Sequence, residues 1–295
     1  VTEHMKNLQK EFFIQNDTLS TAPFRDLDED EEESIMKRTM RRSERWRKAR
    51  LSGKSADEIE DIFNVPTEMS IFSWEGDIDT VMAPIDSIRY YKHFLQAGMM
   101  SMNPKNGHVM AWVGGINYRN FQYDHVMQSK RQIGSTFKPF LYATAIDQLK
   151  LSPCDMLPDA IHCIEPYKYG NPDPWCPTNS SDKYGGMRTL SNALANSKNT
   201  ISAQLIDRVG PRPVADLARN LGVSSNIPNV PAIALGTPDL SVYEMVGAYG
   251  AFANKGIYVK PIMVTKIEDR NGKIVFQSTP ETKDVLSEES VSYTH

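Results

Sequence analysis

Residues 131–140 read RQIGSTFKPF, and FLYATAIDQL runs on from Phe140. A serine, Ser135, is followed three positions later by a lysine, Lys138, with Gly134 before the pair and Pro139 after it. Residues three apart share one face of a helix, so the amine can reach the hydroxyl. A serine hydroxyl is a poor nucleophile until a neighbouring base takes its proton. Lysine becomes such a base when burial or nearby positive charge lowers its pKa. Gly134 allows a sharp entry into the helix, and Pro139 is tolerated only in the first turn. The helix N-terminus favours developing negative charge. On the pattern alone the same serine is better explained as a plain helix N-cap. Two more Ser-x-x-Lys runs, Ser34–Lys37 and Ser180–Lys183, lie in a charge block and a polar loop without these flanks. The motif alone leaves both readings open.

A second stretch narrows them. ANSKNT, residues 195–200, sits at a break between two helical patterns and carries Ser197 and Asn199. Acyl transfer needs a hydroxyl to relay a proton to the leaving amine and an amide to hold the substrate backbone, and this pair offers both. SSN at 224–226 repeats the pattern in a loop before Pro228 and is read as incidental.

Around these motifs the chain alternates helices and strands. VTEHMKNLQKEFF (1–13) reads as an amphipathic helix, and LDEDEEES with MKRTMRRSERWRKAR (27–50) as a solvated one, acidic first and basic last. SADEIEDIFN (55–64) has Ser55 as N-cap with Glu58 at the third helical position, and VPTEMSIFSW (65–74) has β character. DSIRYYKHFLQAG (86–98) reads as a helix ended by Gly98. Strands flank NPKNG (103–107) and DRNG (269–272) as hairpins. Residues 152–186 read as a long irregular loop, functional or mobile. Helices follow at 189–210, 211–223 and 239–256, and VLSEESVSYTH (285–295) begins another.

The chain has 295 residues, enough for two domains. A net charge of −4 argues against nucleic acid as partner. No apolar run reaches membrane-spanning length, and no secretory leader opens the chain. Of the three cysteines, Cys163 and Cys176 flank one loop and are the preferred pair if the compartment is oxidising, with Cys154 left over; three free thiols are an equal alternative. No Cys/His spacing suits a metal.

Beyond the two motifs, MNPKNGHVMAWVGG (102–115), RQIGSTFKPFLYATAID (131–147), LSNALANSKNTISAQL (190–205) and ALGTPDLSVYEMVGAYGAFANKGIYVKP (234–261) resemble, in order, the transpeptidase part of class A (bifunctional) penicillin-binding proteins. FSWEGDIDTVMAPIDSIRYYKHFLQAGMMSM (72–102) resembles the linker of Bacteroidetes-type members. The likeness runs from about residue 65 to 287, and 1–64 fits more loosely as the segment joining glycosyltransferase to transpeptidase. It implies an α/β (α+β) fold of the penicillin-binding transpeptidase or serine β-lactamase type, incomplete, with a mostly helical linker over 1–95 and the transpeptidase domain over 96–295.

The resemblance also implies roles. Ser135 would be acylated, Lys138 would be its base, Ser197 would shuttle the proton and Asn199 would hold the donor peptide. Substrates would be the D-alanyl-D-alanine ends of peptidoglycan stem peptides, and β-lactams would acylate the same serine. No metal or cofactor is implied. A membrane anchor and glycosyltransferase would precede Val1, placing the protein at the periplasmic face of the inner membrane with cell-wall synthesis partners. The family's third motif, Lys-Thr-Gly, is not in these residues and would lie on a strand past His295. The chain is therefore expected to be a fragment of an active parent, itself with little or no activity. A non-catalytic penicillin-sensing or peptide-binding relative and a β-lactamase-like hydrolase are the alternatives; Glu165 lacks the context of a deacylation base. His125 beside Asp124 is read as a structural hydrogen-bonder, and Tyr167, Tyr169 and Trp175 as either a glycan platform or a loop closure.

Overall fold

The structure, a computed structural model, describes residues 2–16, 23–24 and 27–291. Two compact units emerge, one of residues 1–97 with 115–122, the other of 98–114 with 123–295.

The first unit contains α1 (Thr2–Asn16), α2 (Glu29–Arg42), α3 (Glu44–Leu51), α4 (Ala56–Phe63), the antiparallel pair β1 (Thr67–Ile71) and β2 (Ile78–Met82), and α5 (Pro84–Lys92). The acidic-to-basic run is two helices rather than one. Asp28 and Glu31 form a capping box at the start of α2, and Ser43 both ends α2 and caps α3. Ser55 and Glu58 form the expected box on α4. Met40, Ile59 and Phe63 make one small core, and Met5, Phe72, Phe94 and Ile116 another.

Helix α5 stops at Lys92, well before Gly98. Gln9 of α1, fully buried, accepts the Leu95 N–H at 2.8 Å and donates to the His93 carbonyl at 2.9 Å. These groups therefore go to a side chain rather than to another helical turn. Gly98 is needed for a different reason: a Cβ there would lie 2.7 Å from the His125 carbonyl carbon.

The second unit is built around α6 (Lys138–Leu149). Lys138 and residues 140–146 are all buried, the pattern of a helix covered on every side. It packs on α7 (Leu190–Ala195), α8 (Asn199–Val209), α9 (Pro211–Asn220) and α11 (Glu288–Val291). Phe137 and Phe140 stack with centroids 4.7 Å apart, and Phe252 of α10 (Val242–Ala253) meets Phe140 edge-on.

Strands in this unit form antiparallel pairs: β3 (Met99–Met102) with β4 (Val109–Val113), β5 (Arg131–Gln132) with β8 (Asp239–Leu240), and β6 (Met156–Pro158) with β7 (Met187–Thr189). The 257–278 stretch differs from expectation. β10 (Lys266–Glu268) and β11 (Ile274–Gln277) form the hairpin, but β9 (Ile257–Val259) pairs with β12 (Thr282–Asp284), so the hairpin is an insertion between paired strands. The chain is thus a mixed helix-and-strand fold, as the sequence predicts.

Residues 152–186 are more ordered than a bare loop. They contribute β6, an antiparallel bridge between Ile164 and Trp175, and the Cys163–Cys176 disulfide, with Cys154 free and exposed. His162 and Lys168 reach Asp207 of α8 at 3.0 and 2.6 Å, and the Tyr169 hydroxyl donates to the Asp207 carbonyl at 2.8 Å. Trp175 is thereby part of the loop's bridge, while Tyr167 stays exposed. Of the predicted last helix, Glu288–Val291 is helical and residues 292–295 lie outside the described residues.

Candidate active site

Gly134 to Phe137 form a single 3₁₀ turn that leads straight into α6 at Lys138. Ser135 thus stands on a tight turn just ahead of the helix, and Pro139 occupies its first turn. Gly134 has φ +58°, a conformation that a Cβ would strain. A second glycine clamps the turn. The Gly134 N–H donates to the Gly236 carbonyl at 2.9 Å, and a Cβ at Gly236 would sit 1.7 Å from the Gly134 oxygen. The Tyr249 hydroxyl, pushed up to about 12 by burial, donates to the Thr136 carbonyl at 2.6 Å.

Ser135 is exposed, whereas Lys138 is 1% exposed. The Lys138 ammonium donates to the Ser197 carbonyl at 2.7 Å, to Ser197 Oγ at 2.9 Å and to Asn199 Oδ1 at 2.7 Å. Three donors meet three neutral oxygens, which satisfies the ammonium's donors without an anion to hold its charge. Burial accordingly pushes the Lys138 pKa from 10.5 down to about 8. Ser197 Oγ in turn donates to Ser135 Oγ at 2.9 Å. The structure therefore joins lysine to nucleophile through Ser197, where the sequence spacing suggested direct contact. Once Lys138 loses a proton, the same chain can run in reverse, Ser135 donating to Ser197 and Ser197 to the amine.

Ser197 and Asn199 lie where α7 ends and α8 begins. Ser197 has φ +52°, in the left-handed region, at a cost of roughly 1–2 kcal/mol for a residue with a Cβ. The neighbouring helices hold it there: its N–H donates to the Leu194 carbonyl at 3.0 Å and Lys198 N–H to Ala193 at 2.9 Å. Asn199 donates Nδ2 to the Thr178 carbonyl at 2.8 Å, which turns its Oδ1 towards Lys138. One amide hydrogen and one oxygen lone pair remain by valence for a further contact.

The other sequence candidates fall elsewhere. Asp124 Oδ2 accepts from the Trp112 indole at 2.9 Å and Oδ1 from the Val126 and Met127 N–H groups, so it shapes a loop. His125 stacks edge-on with Tyr123. Ser224 and Ser225 both bind the carboxylate of Glu244. Glu165 is exposed, and its backbone carbonyl accepts from Asn171. Sequence reasoning missed Asp159, Asn179 and Gly236, polar or small residues in stretches without a period to mark them.

Known families and proteins match most of this chain. The penicillin-binding protein transpeptidase domain matches residues 97–295, and the penicillin-binding protein middle domain matches 19–95. Penicillin-binding protein 1A of Neisseria meningitidis is 35% identical over 187 residues, which is 63% of this chain and 23% of that protein. The Escherichia coli protein of that name is 32% identical over 63% of this chain and 22% of its own length. The chain therefore spans about a quarter of these relatives. In structure, penicillin-binding protein 1A from Haemophilus influenzae superposes with a TM-score of 0.58 at 33% identity, over 63% of this chain and 28% of that one. Penicillin-binding protein PonA1 from Mycobacterium tuberculosis gives 0.57 at 25% identity, over 66% and 55%. With two thirds of its length matched by the transpeptidase domain, the chain belongs to the penicillin-binding protein transpeptidase family.

Proposed function

We propose that this chain carries the acyl-serine site of a peptidoglycan D,D-transpeptidase, with Ser135 as nucleophile. The observation that carries the reading is the hydrogen-bonded row Lys138–Ser197–Ser135, ending on an exposed hydroxyl and starting on a buried amine whose pKa is lowered. Ser135 Oγ attacks the carbonyl of the penultimate D-alanine of a stem peptide. Its proton passes to Ser197 Oγ as the Ser197 proton passes to the neutral Lys138 amine. The C–N bond to the last D-alanine then breaks, and the leaving amine takes its proton from Ser197, which Lys138 resupplies. The Ser135 N–H, in the first turn of the 3₁₀ segment where N–H groups lack intrahelical acceptors, is one oxyanion donor. Asn199 offers its remaining amide capacity to the donor peptide. The amine of a second stem peptide then attacks the ester carbonyl, the bond to Ser135 Oγ breaks as the cross-link forms, and the amine's proton returns through Ser197 to Ser135 Oγ.

In the same reading, residues 1–95 are the linker to a glycosyltransferase and 96–295 the acyl-transfer domain, working at the periplasmic face of the inner membrane beside other cell-wall synthesis proteins. Among the described residues no helix is long and apolar enough to cross a membrane. β-Lactams, which mimic the scissile amide, would open on Ser135. Incubation with a fluorescent penicillin followed by peptide mapping tests this. The expected result is at most a slow covalent label, confined to Ser135 and absent in Ser135→Ala. Label on another residue, or label that survives the substitution, would refute the assignment of the nucleophile, and rapid stoichiometric label would refute the expectation of little activity in these residues alone.

A further inference from the structure

Beneath the Ser197–Asn199 turn lies a polar knot drawn from three stretches of chain. Asp159, its side chain fully buried, accepts at Oδ1 from Asn179 Nδ2 and from Thr200 Oγ1, each at 2.8 Å. Its Oδ2 pairs with the Lys198 ammonium at 2.9 Å. Burial pushes the Asp159 carboxyl up, but hydrogen bonds from Lys198, Thr200 and Asn179 outweigh it and hold it below its ordinary value. Asn179, 4% exposed, turns its Oδ1 to the Asn199 N–H at 2.9 Å and the Thr200 N–H at 3.4 Å.

The N-cap residue of α8 is Lys198, which makes no side-chain cap bond. The first N–H groups of a helix need an acceptor, and here it comes from a residue 20 positions upstream. The same segment places the Thr178 carbonyl on Asn199 Nδ2. Cys176, in the disulfide, lies just before it. Apart from the Asn179–Asp159 bond that ties it together, every bond described in the knot acts on residue 198, 199 or 200, next to the strained Ser197.

We infer that Asn179 and Asp159 are positioning residues: Asn179 caps α8 from outside, Asp159 fixes the orientation of Asn179 and Thr200, and together they hold Ser197 and Asn199 in register with Lys138. They are hydrogen-bonded to neither Ser135 nor Lys138 and act through the turn. The inference rests on the acyl-transfer reading for its consequence in rate, but not for its consequence in structure.

The test uses the whole chain, well below each variant's Tm, with two readouts. Acylation of Ser135 by fluorescent penicillin gives the first, and amide hydrogen exchange of the unacylated protein the second. Asn179→Ala should slow acylation about tenfold to a hundredfold, the scale of a displaced catalytic group. It should also speed exchange at Asn199 and Thr200, while residues 204–206 in mid-α8 stay protected. Asp159→Ala should do the same, and Asp159→Asn, which keeps an oxygen for Asn179 and Thr200, should retain most of the rate. Ser225→Ala, which removes bonds to Glu244 elsewhere in the unit, should lower Tm without changing the rate. An Asn179→Ala protein that acylates normally, or a Ser225→Ala protein slowed as much, overturns the inference. If label on the unaltered chain falls on a residue other than Ser135, the functional reading falls; in that case, or if the chain acylates too slowly to compare, the exchange data alone decide this inference: unchanged exchange at Asn199 and Thr200 in Asn179→Ala refutes it.

Discussion

Lys138 and Glu244 are both nearly closed to solvent, at 1% and 6% exposure, yet their surroundings push them in opposite directions. Glu244 accepts from the N–H and hydroxyl groups of Ser224, Ser225 and Ser241. Burial alone would raise its pKa, but the bonds from Ser241, Ser225 and Ser224 outweigh that and pull it to about 2. Lys138 meets only three neutral oxygens, so burial prevails and its pKa falls to about 8. One buried charge is over-supplied with partners and locked. The other is supplied just enough to be ordered and can give up its proton near neutral pH. The capping box of α10 shows what the first is for, since Ser241 and Glu244 fix a helix start. The second faces an exposed serine through one hydroxyl.

Three substitutions bear on that contrast. The largest effect is expected from Lys138→Met, which should slow Ser135 acylation by about 10²–10⁴, the range of a general base. The same change removes a charge that burial disfavours but strips three oxygens of their donor, so stability at pH 7 should change little. Chemical denaturation beside a labelling assay checks both; a stability loss would mean that Lys138 is structural like Glu244.

Glu244→Gln should show the converse. Stability should fall by about 3 kcal/mol at pH 7, with acylation per folded molecule unchanged. A carboxyl with a lowered folded pKa stabilises above its unfolded value of 4.5, and that contribution is lost as pH falls towards 2. The deficit of the variant should therefore shrink across that window. A constant deficit down to pH 2 would contradict the assignment.

Smaller still is the effect of opening the Cys163–Cys176 loop. Its 13-residue separation gives a loss of about 2–3 kcal/mol for the double Ser substitution. Because the loop leads into Thr178 and Asn179, acylation should slow as well. Loss of stability with an unaltered rate would show that the staple serves only the fold.

Much of this was legible in the sequence. Ser135, Lys138, Ser197 and Asn199 are hydrogen-bonded neighbours in the structure, as their motifs foretold, because each sits at a helix start or break that Gly, Pro and apolar periodicity announce. The helix starts at Ser55 and Pro211 could be read for the same reason. What stayed hidden depends on distant pairing. Ser197 inserts itself between lysine and serine only because α7 and α8 hold it at positive φ. Asn179 caps a helix 20 residues away from within a stretch without period. The end of α5 is set by Gln9, which no local pattern around Phe94 reveals.

The central claim is that Lys138 is a buried amine free to deprotonate, and its titration tests this most directly. Lys138 Nζ, followed by NMR in the labelled chain, should titrate with a midpoint near 8. Linkage gives the same sign: with the folded pKa below the unfolded 10.5, the cost of burying the charge is full below pH 8 and is relieved as pH rises to 10.5. A midpoint at or above 10.5 would contradict the account.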